Sequence, residues 1–280
     1  MPEIFQYSFM VRAFIAGGII GAVAPLLGTF LVLRRLSLIA DTLAHVAITG
    51  AAIGLFLDRY PVMVAVVTSA VAAIALERLR TTRLLSGDSA LALVLYTALA
   101  LALVLISLGD GLNVDLFSYL FGSIVTVGKD DVWATTGLGI AVVLLVWLLY
   151  SELVHATFDS DLARVAGVPV QRTNLALAVL TGVTVTLSMQ VVGGLLVGAL
   201  IVFPVLASLQ LGRGFRTTMA TAAIIGAGSV FIGLTVSYYQ DVAASGAIVL
   251  TALAALIFTT LAHGVGVRLG WRGSRPSASG

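Results

Sequence analysis

The chain has no cysteine, so it forms no disulfide and offers no thiolate to a metal; any metal it handles meets nitrogen and oxygen donors alone. Charge is scarce as well: 10% of the 280 residues are charged, against 60% apolar. A water-soluble chain of that composition would present an aggregating surface, which excludes a soluble globular fold and makes this an integral membrane protein. The start, MPEIFQYSFMVRAF, lacks a basic region before its first apolar stretch and a small-residue cleavage site after it, so the first span is expected to be retained. A nucleotide-binding loop is missing too. GSIVTVGKD, containing Gly122, Gly128 and Lys129, imitates one, but it has five residues between its glycines and Asp130 where Ser or Thr is required. If ATP powers the protein, hydrolysis takes place on another chain. Nothing in the pattern points to nucleic acid.

What is present is a series of continuous apolar runs of about 18 to 22 residues, the length a helix needs to cross hydrocarbon, without the alternation of a membrane barrel. The fold class read from this is all-α, a polytopic bundle of about 8–9 transmembrane helices. Approximate spans fall at 9–33, 36–57, 61–77, 88–108, 132–150, 172–191, 193–211, 217–238 and 246–266. The pair around Val192-Gly193-Gly194 also fits broken or half-crossing helices, which lowers the count to eight. Arg34, Arg35, Arg78, Arg80, Arg83, Arg164, Arg172, Arg213, Arg216, Arg268, Arg272 and Arg275 all fall on one side of this arrangement, and only Arg12, Arg59 and Lys129 fall opposite. The positive-inside bias then predicts an outside N-terminus and a cytoplasmic C-terminus in the plasma (inner) membrane.

Residues 1–266 read as one transmembrane domain and 267–280, ending in WRGSRPSASG, as a disordered cytoplasmic tail. The outside segment 109–131 is too short to span and fits an interfacial or re-entrant helix. Glycines recur four apart at Gly17/Gly21, Gly50/Gly54 and Gly194/Gly198. Such pairs permit close helix approach, either within one chain or between subunits.

The polar residues that need explaining are Asp41 and His45. An aspartate at the centre of a spanning helix costs about 2.5–3.5 kcal/mol on insertion scales, so it normally faces protein or a water-filled path. At i and i+4 the two side chains share one helix face, with Cβ atoms about 5–6 Å apart. Imidazole and carboxylate suit Zn²⁺ or Mn²⁺, and two such ligands make a weak site that an ion can leave. The same spacing fits a carboxylate that orients a histidine in a helix interface and binds no metal. His155 and His263, near predicted span ends, read as interfacial or packing residues.

The inside loop SELVHATFDSDLARVAGVPVQR is long enough for a short amphipathic helix. Asp159 or Ser160 would cap it, Leu162, Val165 and Ala166 would form its apolar face, and Gly167 would end it before Pro169. Such a helix can dock in a partner's groove, or be an ordinary interfacial loop.

The stretches GTFLVLRRLSLIADTLAHVAITGAAIG, DLFSYLFGSIVTVGKDD, DSDLARVAGVPVQR, VGGLLVGALIVFPVLAS and SYYQDVAASGAIVL, in this order and over nearly the whole chain, resemble the permease subunits of ABC-type zinc/manganese import systems. The RR-S-x-x-x-D-T-L-A-H pattern is most similar to the zinc-importing branch, while related members carry manganese or iron. The resemblance implies the large-core importer fold of the vitamin B12 and siderophore permeases. It implies a homodimer in lipid enclosing a translocation path, two cytoplasmic ABC ATPase subunits that hold ATP-Mg, and an extracytoplasmic metal-binding protein that delivers the ion. No cofactor resides in this chain on that reading, and the permease does no bond chemistry of its own. Asp41 and His45 would match the family's intramembrane acidic residue and histidine. Asp159, Asp161, Leu162, Ala163, Val165, Ala166 and Gly167 would match its ATPase-coupling helix. One departure is plain: after Asp241 this chain reads Val-Ala-Ala-Ser-Gly where the family often has D-x-P-A-G, and the local turn is open to question.

The expected function is ATP-driven import of a divalent transition metal, with Leu38 and Ile48 limiting leakage beside the metal-carrying pair. A proton-coupled secondary metal transporter using Asp41 is the alternative. A membrane-embedded hydrolase lacks a third metal ligand and a nucleophile–base set.

Overall fold

A computed structural model of the chain describes residues 4, 6–81, 86–108, 128–194, 197–212 and 214–268. Among the described residues there are eleven helices: α1 (Ser8–Leu33), α2 (Leu38–Phe56), α3 (Pro61–Thr81), α4 (Gly87–Leu108), α5 (Lys129–Leu148), α6 (Tyr150–Phe158), α7 (Ser160–Val165), α8 (Val170–Val192), α9 (Val197–Leu209), α10 (Phe215–Gln240) and α11 (Ala244–Arg268). Seven are long and apolar enough to cross a membrane, and α8, at 23 residues, is long enough by length alone.

Eight of the nine expected spans are therefore present as full-length helices, and the ninth is not. Residues 193–211 hold α9, which has 13 residues and reaches about 20 Å, short of the roughly 30 Å hydrocarbon core. Gly193, at φ 88° and ψ 139°, is the reason: this backbone is open only to glycine, and it breaks the apolar run between α8 and α9. The segment read as an interfacial helix, 109–131, lies outside the described residues except for 128–131. There Gly128 donates its N–H to Asp131 (2.8 Å), and Lys129–Asp131 form the first turn of α5. At the other end, α11 runs to Arg268, two residues past the expected boundary, and the remaining tail lies outside the described residues.

Helices α1 and α2 are the most enclosed, while α3, α4, α5 and α11 turn large apolar side chains such as Met63, Leu103, Trp133, Ile140 and Phe258 outward to lipid. Helix α1 packs against α5, α8, α9 and α10, with Ile20, Leu27, Phe30 and Leu31 at the centre of the main core. Helix α2 packs against α3, α4 and α8, where Ile39, Leu43, Leu76 and Leu91 form a second core. Helix α8 touches both groups and joins them.

Lipid gives helices no hydrophobic reason to associate, so the contacts rest on close approach and on hydrogen bonds. Pro25 has no N–H and leaves the Gly21 carbonyl without its helical partner; that oxygen lies where a side chain at Gly226 would have to be. Gly50 and Gly54 approach α3 in the same way, at Ala65–Thr68 and Pro61. The Gly21 and Gly50/Gly54 spacings thus serve contacts within one chain. Hydroxyls supply the bonds: Ser69 Oγ donates to Gly182 O (3.2 Å), Thr251 Oγ1 to Ser229 O (2.9 Å) and Ser208 Oγ to Thr218 O (2.7 Å).

The turn after α10 closes without the family's proline. Asp241 adopts the left-handed conformation (φ 52°), Val242 N–H reaches back to Ser237 O (3.3 Å), and Ser237 Oγ donates to Val242 O (2.7 Å). This is a Schellman-type stop in which an aspartate takes the place usually given to glycine. Replacing Asp241 with Gly should therefore raise the melting temperature in detergent, by about 1 kcal/mol of relieved strain. Gly226→Ala should lower it, since its methyl group meets the Gly21 carbonyl and the Pro25 ring; overpacking of this kind costs about 1–3 kcal/mol.

Candidate functional site

Helix α2 starts after a tight reversal. Arg35 is left-handed (φ 58°), Leu36 N–H bonds Leu31 O (2.8 Å), and Ile39 N–H bonds Leu36 O (3.0 Å). That start puts Asp41 in the first turn of α2, where the partial positive charge of unpaired N–H groups favours a carboxylate. The sequence alone placed Asp41 inside an apolar run; the observed helix start supplies the compensation the residue needs.

The faces of α2 are used unequally. Ile39, Leu43 and Gly50 face α3 and α8, Thr49 faces α4, and Ala40 and Ala44 face the α1 core. Asp41 and His45 share the remaining side and are half-buried. Neither the Asp41 carboxylate nor the His45 ring has a hydrogen bond or ion pair to another described residue. The structure thus brings the two together on one face, as their spacing predicts, and leaves both with free ligand capacity. The reading in which the carboxylate orients the histidine has no bond in its favour.

Across from this face lie the glycines of the α8–α9 junction. A Cβ added at Gly198 would sit 3.8 Å from Asp41 Cβ, and one at Gly194 would sit 3.1 Å from Ile48 Cδ1 and from Met189. The Gly194/Gly198 pair, read from sequence as permitting close approach within one chain or between subunits, here lets the start of α9 lie against Asp41 and the end of α8 against Ile48. The matching signal was already present: the glycines repeat with the same four-residue step as Asp41 and His45. Ile48 is buried against this junction, whereas Leu38 is 61% exposed and seals nothing within the chain. Among the described residues no third His, Asp or Glu joins Asp41 and His45 in a group able to hold a metal, so the pair itself offers two ligands. Two ligands can strip part of an ion's water shell but do not form the closed four-ligand cage of a structural zinc site.

The second candidate is α7. Asp159 caps it, its side chain accepting from Asp161 N–H (3.0 Å) and Leu162 N–H (2.9 Å). Gly167 (φ 84°) ends it, with Val168 N–H on Ala163 O (2.9 Å). Ala163 is buried with Ala156 and Val170, which ties α7 to α6 and to the start of α8. Leu162 and Val165 are 66% and 86% exposed, Ala166 is exposed beside them, and so the apolar face points away from the protein. Asp161 pairs with Arg164 at 3.6 Å on the surface, which contributes little to stability. His155, read from sequence as an interfacial or packing residue, is exposed, and its Nδ1 donates to Ser151 O (2.6 Å) on its own helix.

Sequence reasoning missed Arg34, which served only as a topology marker. It is the C-cap of α1, and its guanidinium bonds Thr157 Oγ1 (2.9 Å), Asn174 Oδ1 (2.5 Å) and Leu153 O (3.1 Å). Burial lowers its pKa to about 10, partly offset by the Glu77 carboxylate and deepened by Arg80, so it stays charged at neutral pH. With Arg216 stacked over Tyr150 (5.1 Å) and the Glu77–Arg80 pair (3.1 Å), it belongs to a set of basic residues from three helices at the end of the bundle that holds α7.

Against known proteins, the model of the ABC 3 transport family matches residues 6–263. The manganese transport system membrane protein MntC of Halalkalibacterium halodurans is 31% identical over 276 residues, covering 98% of this chain and 94% of that protein. The high-affinity zinc uptake system membrane protein ZnuB of Haemophilus influenzae is 29% identical over 246 residues, 88% and 94% of the two chains. Among solved structures, PsaBC from Streptococcus pneumoniae in complex with Fab superposes with a TM-score of 0.82 at 30% identity, covering 91% of this chain and 92% of that one.

The left-handed stop at Gly167 yields a direct check. Gly167→Ala should cost about 1–2 kcal/mol locally, and amide hydrogen exchange at Val168 and within α7 should speed up while that of α1 stays as it is.

Proposed function

Because the chain belongs to the ABC 3 transport family, we propose that it is the membrane subunit of an ATP-driven importer of divalent transition metal ions, Zn²⁺ foremost, Mn²⁺ next and Fe²⁺ third. The observation that carries this reading is the unpartnered Asp41–His45 pair on the open side of α2. The other polar side chains of α2, Thr42 and Thr49, are buried, so these two are the ones left to replace water on a passing cation. Relatives are named for both manganese and zinc, and a carboxylate with an imidazole suits either ion.

In this reading two copies of the chain face each other across a path, and their open α2 sides together offer four ligands where one chain has two. Binding remains weak enough for release because the two pairs take the ion in turn and do not close a four-ligand cage around it. An extracytoplasmic binding protein delivers the metal. ATP-Mg is held and hydrolysed by two cytoplasmic ABC ATPase subunits, and this chain performs no bond chemistry. The exposed Leu162, Val165 and Ala166 of α7 enter a groove of the ATPase, while Asp159, Asp161, Ala163 and Gly167 hold the helix in shape. Nucleotide binding then moves α7 and switches the path between outward and inward access. The arginine-rich end of the bundle is the cytoplasmic one, which puts the C-terminus inside the plasma membrane.

The test is uptake into proteoliposomes that hold the permease with its ATPase and binding protein. Zn²⁺ or Mn²⁺ should enter with ATP and not with an imposed proton gradient; entry that follows the gradient without ATP overturns the ATP-driven reading in favour of proton coupling through Asp41. Replacing both Asp41 and His45 with Ala should cut uptake by more than tenfold while the complex still assembles. Unchanged uptake rejects their role.

A further inference from the structure

We propose that Arg34 is the positioning residue that carries movement of α7 into α2, and so joins the partner-facing helix to the pair at Asp41 and His45. This deepens the importer reading above and rests on it.

The geometry has two halves. On the partner side, Arg34 holds three acceptors with one rigid fork: the Thr157 hydroxyl, the Leu153 carbonyl and the Asn174 side-chain oxygen. Leu153 and Thr157 lie on α6, which ends one residue before the Asp159 cap of α7, and Asn174 lies in the first turns of α8, which begins just after α7. Ala156, Ala163 and Val170 bind α6, α7 and α8 into one apolar knot. A push on α7 therefore displaces all three acceptors together, and the guanidinium with them.

On the membrane side, only residues 35–40, a stiff stretch of chain, lie between Arg34 and Asp41. Arg35 occupies the left-handed region, and the bonds from Leu36 N–H to Leu31 O and from Ile39 N–H to Leu36 O fix the reversal between α1 and α2. No flexible linker intervenes to absorb the displacement. The start of α2, with Asp41 in its first turn, has to follow.

The chemistry of the contact favours a moving part over a static tether. A guanidinium taken out of water is costly unless it meets a carboxylate, and an apolar contact would hold α1 to α6 at lower cost. Here each bonded acceptor is neutral, and the nearest acid to act on Arg34 is Glu77, itself engaged by Arg80 (3.1 Å). Neutral oxygens hold the fork in a defined direction but let it exchange partners without separating an ion pair. A static apolar link between the same helices already exists in the rings of Phe30, Phe215 and Phe158, spaced 5.4 and 5.8 Å apart, so holding the ends together does not need Arg34.

The experiment uses the reconstituted complex of permease, ATPase subunits and binding protein, with Zn²⁺ as probe. The native complex is the control: if it shows no ATP-driven uptake, the importer reading fails and the role of Arg34 is not what failed. Given that uptake, Arg34→Gln should leave ATP hydrolysis running while the metal moved per ATP falls at least tenfold; Arg34→Lys, a point charge that cannot span three acceptors, should fall between. Because the chain has no cysteine, Ser160→Cys, at an exposed position outside the docking face, and Leu57→Cys each place a single spin label, at α7 and at the end of α2. Nucleotide trapping should shift both labels in the native background and only the label at 160 with Arg34→Gln. Should Arg34→Gln fail to assemble, Asn174→Ala removes one acceptor and keeps the cation, and it should lower metal per ATP at least threefold. An unchanged ratio in the assembling variant, a proportional fall of uptake and hydrolysis together, or a label at 57 that still moves overturns the proposal.

Discussion

The contact on which the rest of the bundle depends is the approach of α1 to α10 at Gly21 and Gly226. Hydrocarbon neither drives helices together nor hydrates a backbone carbonyl set free by a proline. Pro25 frees the carbonyl of Gly21, and Gly226 lets the partner helix come in over it. Every neighbour of α1 is placed by that proximity: α5 and α8 on its flanks, and α9 stacked between α1 and α10, with Gly28 against the backbone of Ile201. A side chain at either glycine would push α1 and α10 apart and disturb α8 and α9, the neighbours that α1 shares with α2.

Helix α2 then becomes an element with three occupied sides and one open one. Packing takes Ile39, Leu43, Ala44, Ala47 and Gly50; what is left is the edge with Asp41 and His45. A carboxylate is tolerated there because two terms act in its favour: the helix N-terminus and partial access to water. Neither requires a countercharge from the protein, which is why the carboxylate remains available to a cation. Gly198 lets α9 lie against Asp41, and Gly194 lies against Ile48 and Met189.

At the arginine-rich end, stability and transmission are separated. Apolar rings and small residues hold α6, α7 and the start of α8 to the bundle, while the directional polar contacts converge on Arg34. The short α7 keeps its two largest apolar residues outside, an arrangement with no benefit to an isolated chain and a clear one to a docked assembly. The same end also holds Arg80 and Arg216, each engaged by a neighbour, Glu77 and Tyr150.

Run length and charge placement alone determined that the chain is a helical membrane protein, located eight crossings and placed Asp41 and His45 on one face, because insertion into lipid depends on local composition and a helix fixes its own angular spacing. The cap at Asp159 and the stop at Gly167 were legible for the same reason, as both act within one turn. Tertiary structure decided the rest. That residues 193–211 hold a 13-residue helix depends on the backbone angle at Gly193, which apolar content does not register. That Gly198 stands beside Asp41, and that Arg34 grips Thr157 and Asn174, follows from helices packing across 120 to 160 positions of sequence, a relation that no local pattern encodes.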